Sequence, residues 1–247
     1  METTPIARQR VRLIAAALAL AATAALPGNA SAAGYPERPI NLIVPFSPGG
    51  GTDISARLLA AALGDKLASS VVVDNRPGAG GQIAADLVAR SPADGYTLLF
   101  ANSGMLAINP WIYKLHSDPA TAFAPVSLFS DLPFVLVVPT GLPAKNVAEL
   151  VTLARAEPGK HKFASSGTGG APHLSAEIFQ QATGVDLMHV PYKGGGPAMT
   201  DLMAGRVDML FASVLETMPY VTGGKLRALA VTCLLYTSDA ADDSLRV

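Results

Sequence analysis

Hydrophobic positions along the chain fall into short apolar runs that alternate with stretches of helical spacing. Ile40–Val44 is a compact apolar run of strand length. Thr52–Leu67 follows with Ile54, Leu58, Leu59 and Leu63 at helical intervals. Val71–Val73 reads as a second strand, closed by the turn cluster Asp74-Asn75-Arg76-Pro77-Gly78. Gln82–Ala89 reads as a helix and Thr97–Ala101 as a strand. Phe134–Val138 is a β-rich run bounded by Pro133 and Pro139.

A second series then begins. The spacing predicts a helix over 144–156, a strand at Lys162–Ser165, and a helix at Pro172–Thr183 ended by Gly184. It continues with a strand at Leu187–Val190, a helix at Pro197–Ala204, and strands at Val207–Phe211 and Leu226–Val231. Strands alternating with helices argue for parallel βαβ units. Two series joined by the 134–138 run favour two α/β lobes over one larger doubly wound sheet, which the residues alone leave open.

Residues 1–32 have a different pattern. Arg8, Arg10 and Arg12 precede an apolar run from Leu13 to Leu26, and Ala30-Ser31-Ala32 is a small-x-small cleavage site. The run is shorter than the about 20 residues a membrane span needs, so a cleavable signal peptide and export to the periplasm are expected. The single cysteine, Cys233, excludes an internal disulfide in this sequence, so the core must hold the fold together.

Composition narrows the function. The chain of 247 residues has a net charge of -1 and a pI near 6.4, without the basic footprint that nucleic acid requires. Half of the residues are hydrophobic and 15% charged, enough for a large core.

The candidate chemistry lies where strands feed helices through glycine. Pro45-Phe46-Ser47-Pro48-Gly49-Gly50-Gly51-Thr52-Asp53 joins the first strand to its helix, and Thr52 or Asp53 is placed to cap that helix. Ser165-Ser166-Gly167-Thr168-Gly169-Gly170 repeats the arrangement in the second series. Bare backbone N–H groups at a helix start form an anion site without a basic side chain. Neither loop is a phosphate loop or a dinucleotide fingerprint. Ala164 stands two residues before Ser166, so the nucleophile elbow of a hydrolase is absent. His116, His161 and His189 show no metal-ligand spacing, and no cofactor or metal is expected. Asn102-Ser103-Gly104 ends a third strand on the side where open sheets bind ligands. Tyr192 offers a ring with a polar tip, and Lys193 reads as a solvated charge. Asp208, in an otherwise apolar strand, is expected to pair structurally with Arg206 or Arg227 rather than to bind a ligand ammonium group.

These residues together resemble the Bug receptors of tripartite tricarboxylate transporters. The matching motifs are Tyr35-Pro-x-Arg-Pro-Ile40, Val44-Pro-Phe-x-Pro-Gly-Gly-x-x-Asp53, Asn75-Arg-Pro-Gly-Ala-Gly-Gly81 and Pro92-Ala-Asp-Gly-Tyr-Thr-Leu98. Ser165-Ser-Gly-x-Gly-Gly-x-x-His-Leu174, Val190-Pro-Tyr-Lys-Gly194 and Gly224-Lys-Leu-Arg-Ala-Leu-Ala230 follow in order.

The resemblance implies a two-lobed periplasmic-binding-protein fold of the type II Venus-flytrap kind, with mostly parallel sheets. The lobes are expected over 36–132 and 133–231. It implies a monomer that is not an enzyme, that binds a small di- or tricarboxylate or acidic amino acid, and that delivers it to membrane permease subunits. Delivery to a sensor kinase is the alternative. It implies ligand contacts from Phe46, Gly49, Gly50 and Asp53, from Ser166, Gly167, Thr168, Gly170 and His173, and more weakly from Asn102, Ser103 and Tyr192. Residues 232–247 depart from the family pattern. They are read as the artefactual end of a truncated frame, which would leave the first lobe incomplete and the chain prone to aggregate.

Overall fold

The computed structural model describes residues 34–232. The expected signal peptide and the tail from Cys233 lie outside the described residues. Among the described residues, those from Arg38 to Thr232 form one compact unit, and Gly34–Glu37, which carry no regular element, belong to another.

The first lobe is built on strands β1 (Ile40–Val44), β2 (Val71–Asn75) and β3 (Thr97–Leu99), all parallel in the order β2-β1-β3. Helix α1 (Gly51–Leu67) connects β1 to β2, and α2 (Gln82–Ala89) connects β2 to β3. β1 lies in the middle, so Leu42 and Val44 are covered by Ala56 and Ala60 of α1. Small residues on α1 let the helix lie close to the sheet. After β3, a single π-helical turn (Gly104–Ile108) runs into the short helices α3 (Asn109–Ile112) and α4 (Pro119–Ala122). Trp111, Val126 and Leu128 in this region are more than four-fifths exposed among the described residues.

The second lobe holds a five-stranded sheet in the order β6-β5-β7-β4-β8. Its strands are β4 (Phe134–Pro139), β5 (Lys162–Ser165), β6 (Met188–Pro191), β7 (Met209–Ser213) and β8 (Leu226–Val231). β5, β6 and β7 run parallel, while β4 runs antiparallel to both β7 and β8. The 134–138 run is therefore an interior strand, and its continuous hydrophobicity has a physical reason. Val135 and Val137 face one core cluster and Leu136 and Val138 the other, so both faces are buried. Helices α5 (Val147–Ala156) and α6 (Ala171–Thr183) cover the face with Phe163, Met209 and Phe211. Helices α7 (Gly195–Met203) and α8 (Val214–Thr222) cover the face with Ala164, Leu210 and Ala212.

Local chemistry sets the helix ends. α5 starts at Val147, later than the 144 of the periodicity, because Asn146 caps it. The Asn146 side chain accepts from the Glu149 amide, and Glu149 accepts in return from the Lys145 amide. α6 stops at Gly184, which adopts the left-handed conformation its position requires. α8 has no counterpart in the sequence pattern, since Pro219 stands inside it and interrupts a helical reading. Asp208 is structural, with different partners from those expected. It accepts from the Lys162 amide, while Arg206 pairs with Asp201 and Arg227 donates to the carbonyls of Thr140, Leu142 and Ala144.

Candidate functional site

Parallel strands place their carboxyl-terminal loops on one side of each sheet. In the first lobe these loops are Pro45–Gly50, Arg76–Gly81 and Phe100–Ser103. In the second they are Ser166–Gly170, Tyr192–Gly194 and the β7–α8 junction. The two sets meet.

The β1–α1 loop is braced from within its own lobe. Asp53 is buried and accepts from the Gly49 amide at 3.0 Å, from Arg57 Nε at 3.0 Å and from Asn75 Nδ2 at 2.8 Å. Asn75 Nδ2 also donates to the Phe46 carbonyl. Burial opposes ionisation of Asp53, but the hydrogen bonds from Arg57, Gly49 and Asn75 outweigh it and hold the carboxyl below its ordinary value of 3.8. Gly50 is the N-cap without a side-chain bond, and Asp53 reaches back from the third helical position instead.

The glycines of this loop serve the approach of the lobes. A Cβ on Gly50 would stand 2.9 Å from the Gly195 amide nitrogen. A Cβ on Gly196 would overlap the Pro48 carbonyl oxygen, and one on Gly194 would meet Ser47 N at 2.7 Å. Ser47 N donates across to the Lys193 carbonyl at 2.9 Å. A second close approach joins Gly104 to Gly170, where a Cβ would lie 3.1 Å from the opposing Cα.

Beside these contacts is a cavity of about 210 Å³. The first lobe lines it with Phe46, Tyr113 and the stretch Gly78–Gly81. All four residues of that stretch have positive φ, and the turn is closed by the Gly81 amide donating to the Gly78 carbonyl, so mostly bare backbone lines this wall. The second lobe lines it with Ser166, Gly167, Thr168 and Pro191–Lys193. The lining includes a cation, Lys193, and no carboxylate. Asn109 Nδ2 donates to the Gly80 carbonyl and fixes the first wall. The second wall rests on stacked rings. His189 lies between Phe163 and His173, Ser165 Oγ is 2.7 Å from His189 Nε2, and His173 Nδ1 accepts from the Gly169 amide. Burial, and the neighbouring His173, push His189 down to about 4, so its ring is neutral at pH 7. Tyr192 donates its hydroxyl to Asp201, and burial together with that bond pushes it up to about 12.

Tyr113 spans the two walls, donating its hydroxyl to the Thr168 carbonyl at 3.0 Å. Tyr113→Phe removes one neutral hydrogen bond of the closed form. The expected result is roughly 3- to 10-fold weaker ligand binding at unchanged melting temperature, checked by calorimetry.

Of the residues expected at the site, Phe46, Ser166, Gly167, Thr168 and Tyr192 line the cavity. Gly49 and Gly50 lie at the lobe contact, and Asp53 is turned into the first-lobe network. Asn102 accepts from the Met105 amide and so caps the turn that follows, while Ser103 is exposed. Gly170 is the N-cap of α6, and His173 supports the loop from behind. Gly78–Gly81 and Tyr113 also line the cavity without having been expected there, and Lys193, expected as a solvated charge, is exposed at its edge. The glycines of 78–81 were the available signal, since they end β2 as Gly49–Gly51 end β1.

Two α/β lobes closing on a cavity at their carboxyl strand ends define the class of two-lobed solute-binding folds. The chain belongs to the tripartite tricarboxylate transporter receptor family (TctC), whose model matches residues 55–236. It is 44% identical over 230 residues to protein BugT of Bordetella pertussis, covering 89% of this chain and 68% of BugT. It is 40% identical over 223 residues to a UPF0065 protein from a tcbD–tcbE intergenic region of Pseudomonas sp. strain P51, covering 90% of this chain. The alignment spans 66% of that relative's length. Among solved structures, an R. palustris protein with adipate is 42% identical with a TM-score of 0.79, covering 81% of this chain and 67% of the other. The periplasmic binding protein BugD is 39% identical with a TM-score of 0.74, at the same coverage. The family is one of receptors, so the fold sets no catalytic requirement on the site.

Proposed function

We propose that this protein is an extracytoplasmic receptor that captures a small carboxylate between its lobes and presents it to the permease subunits of a tripartite tricarboxylate transporter. The observation that carries the reading is the cavity lining, in which the glycine-rich backbone of 78–81, the hydroxyl-rich 166–168 loop and Lys193 come together with no opposing carboxylate. Charge-assisted hydrogen bonds from such donors contribute about 1.5–3 kcal/mol each. The ligand contacts both lobes, so it stabilises the closed form over the open one. The residue 1–32 pattern supports export, and the adipate-bound R. palustris relative supports a dicarboxylate of modest length.

Calorimetry with adipate, malate and citrate, with putrescine and a neutral sugar as controls, tests the reading. Saturable binding of at least one carboxylate and of neither control is expected. Binding of a control with no response to any carboxylate overturns it.

A further inference from the structure

Glu216 lies on α8 with only 6% of its surface exposed. Its Oε2 accepts from the Gly51 amide at 3.1 Å. Gly51 opens α1 in the first lobe, so this bond crosses between lobes. Its Oε1 lies against Gly195, where a Cβ would overlap it, and Gly195 opens α7. One carboxyl group thus sits at the starts of two helices from different lobes. Glu216 Oε1 and the neighbouring Ser213 Oγ are both buried without a hydrogen-bond partner among the described residues.

The charges on the surrounding elements are engaged elsewhere or point out. Asp53 and Arg57 on α1 pair with each other, Asp201 on α7 is held by Tyr192 and Arg206, and Arg227 on β8 is bound to carbonyls. Lys193, ahead of α7, is exposed at the cavity. Closing the lobes therefore strips water from Glu216 and returns a single amide. An ionised carboxylate is poorly compensated by that exchange, whereas a protonated one loses little. Burial accordingly pushes Glu216 up to about 7, and the Gly51 bond offsets this only in part.

We propose that Glu216 is a positioning residue for lobe closure, entering the interface protonated and opposing closure when ionised, so that ligand capture tightens as the medium acidifies. With the lobes apart and the carboxyl returned to water, nothing holds it away from its ordinary value of 4.5. The closed form holds the proton more tightly, so closure is favoured below about pH 7 and the advantage is lost as pH rises through that value. The inference rests on the receptor reading for its ligand arm only.

The test compares the protein with Glu216→Gln and Glu216→Ala, with adipate as probe, between pH 6 and 8.5. Each is also followed without ligand by small-angle scattering. For the wild type, affinity about tenfold higher at pH 6 than at 8.5 is expected. Glu216→Gln keeps the shape and an acceptor for Gly51, so it should bind at the wild-type pH 6 affinity throughout. Glu216→Ala should bind more weakly with no slope. In scattering, the wild type should become more compact on acidification and Glu216→Gln should not change. A wild-type affinity that is flat with pH, or a Glu216→Gln slope equal to the wild type's, overturns the proposal. If adipate binds at no pH, the receptor reading with this probe fails, and the scattering arm alone decides. Equal compaction of wild type and Glu216→Gln then overturns the role of Glu216.

Discussion

Gly196→Ala is expected to weaken ligand binding roughly 100-fold, about 2.7 kcal/mol, while leaving the second lobe as stable as before. Gly196 is the second residue of α7 and has ordinary backbone angles, so its own helix accepts a methyl group. Alanine is the better helix former by about 1 kcal/mol. The obstacle stands in the other lobe, where the new Cβ would overlap the carbonyl oxygen of Pro48. That oxygen is backbone in the β1–α1 loop, which the Asp53 network holds in place, so it has little room to retreat. The clash exists only in the closed form. Calorimetry should show the loss, and scattering with saturating ligand should show an expanded molecule. Wild-type affinity in Gly196→Ala would mean that the glycine contact is not required for closure.

Asp53→Ala is expected to destabilise the protein by about 3 kcal/mol. The substitution removes the acceptor of the Gly49 amide and one of the two acceptors of Asn75 Nδ2 in a part-buried setting, around a carboxylate that is itself buried. Arg57 contributes less, because its side chain is half exposed and its charge is screened. Urea unfolding at pH 7 measures the difference. The acid limb provides a second check with a definite sign. Asp53 is held below its ordinary 3.8 in the folded state, so its contribution is present above that value and is lost as pH falls through the folded value. Asp53→Asn should therefore flatten the loss of stability below about pH 4. An unchanged acid limb would assign the network to hydrogen bonding alone.

The strands were legible in the sequence because burial on both faces writes itself as an unbroken apolar run. Phe134–Val138 shows this, with Val135 and Val137 in one core cluster and Leu136 and Val138 in the other. Its direction was not legible. An interior strand has the same composition whether it runs with or against β7, and the antiparallel pairing is fixed by where the chain enters the sheet. The helix at Val214–Thr222 was missed because Pro219 breaks the local pattern, while packing against β7 and β4 keeps the helix intact. Glu216 was missed with it.

The glycine loops show the same division at the site. From the sequence alone, Gly49–Gly51 and Gly167–Gly170 are equivalent, because each offers amides at a helix start. Folding separates them. Gly167 faces the cavity, while Gly50 faces Gly195, and the start of α1 meets the chain's own carboxylate at Glu216.

What the sequence determined by itself was the alternation of strands and helices and the ordered motifs by which it resembles one family. Those are consequences of local spacing and residue type. The tertiary structure decided which glycines face a ligand and which face the opposite lobe. It also decided that the acid binding the first helix start comes from α8, and that Tyr113 and Lys193 share a wall with Gly78–Gly81. These are relations between segments far apart in the chain, and a glycine's identity states that space is needed without stating what will fill it.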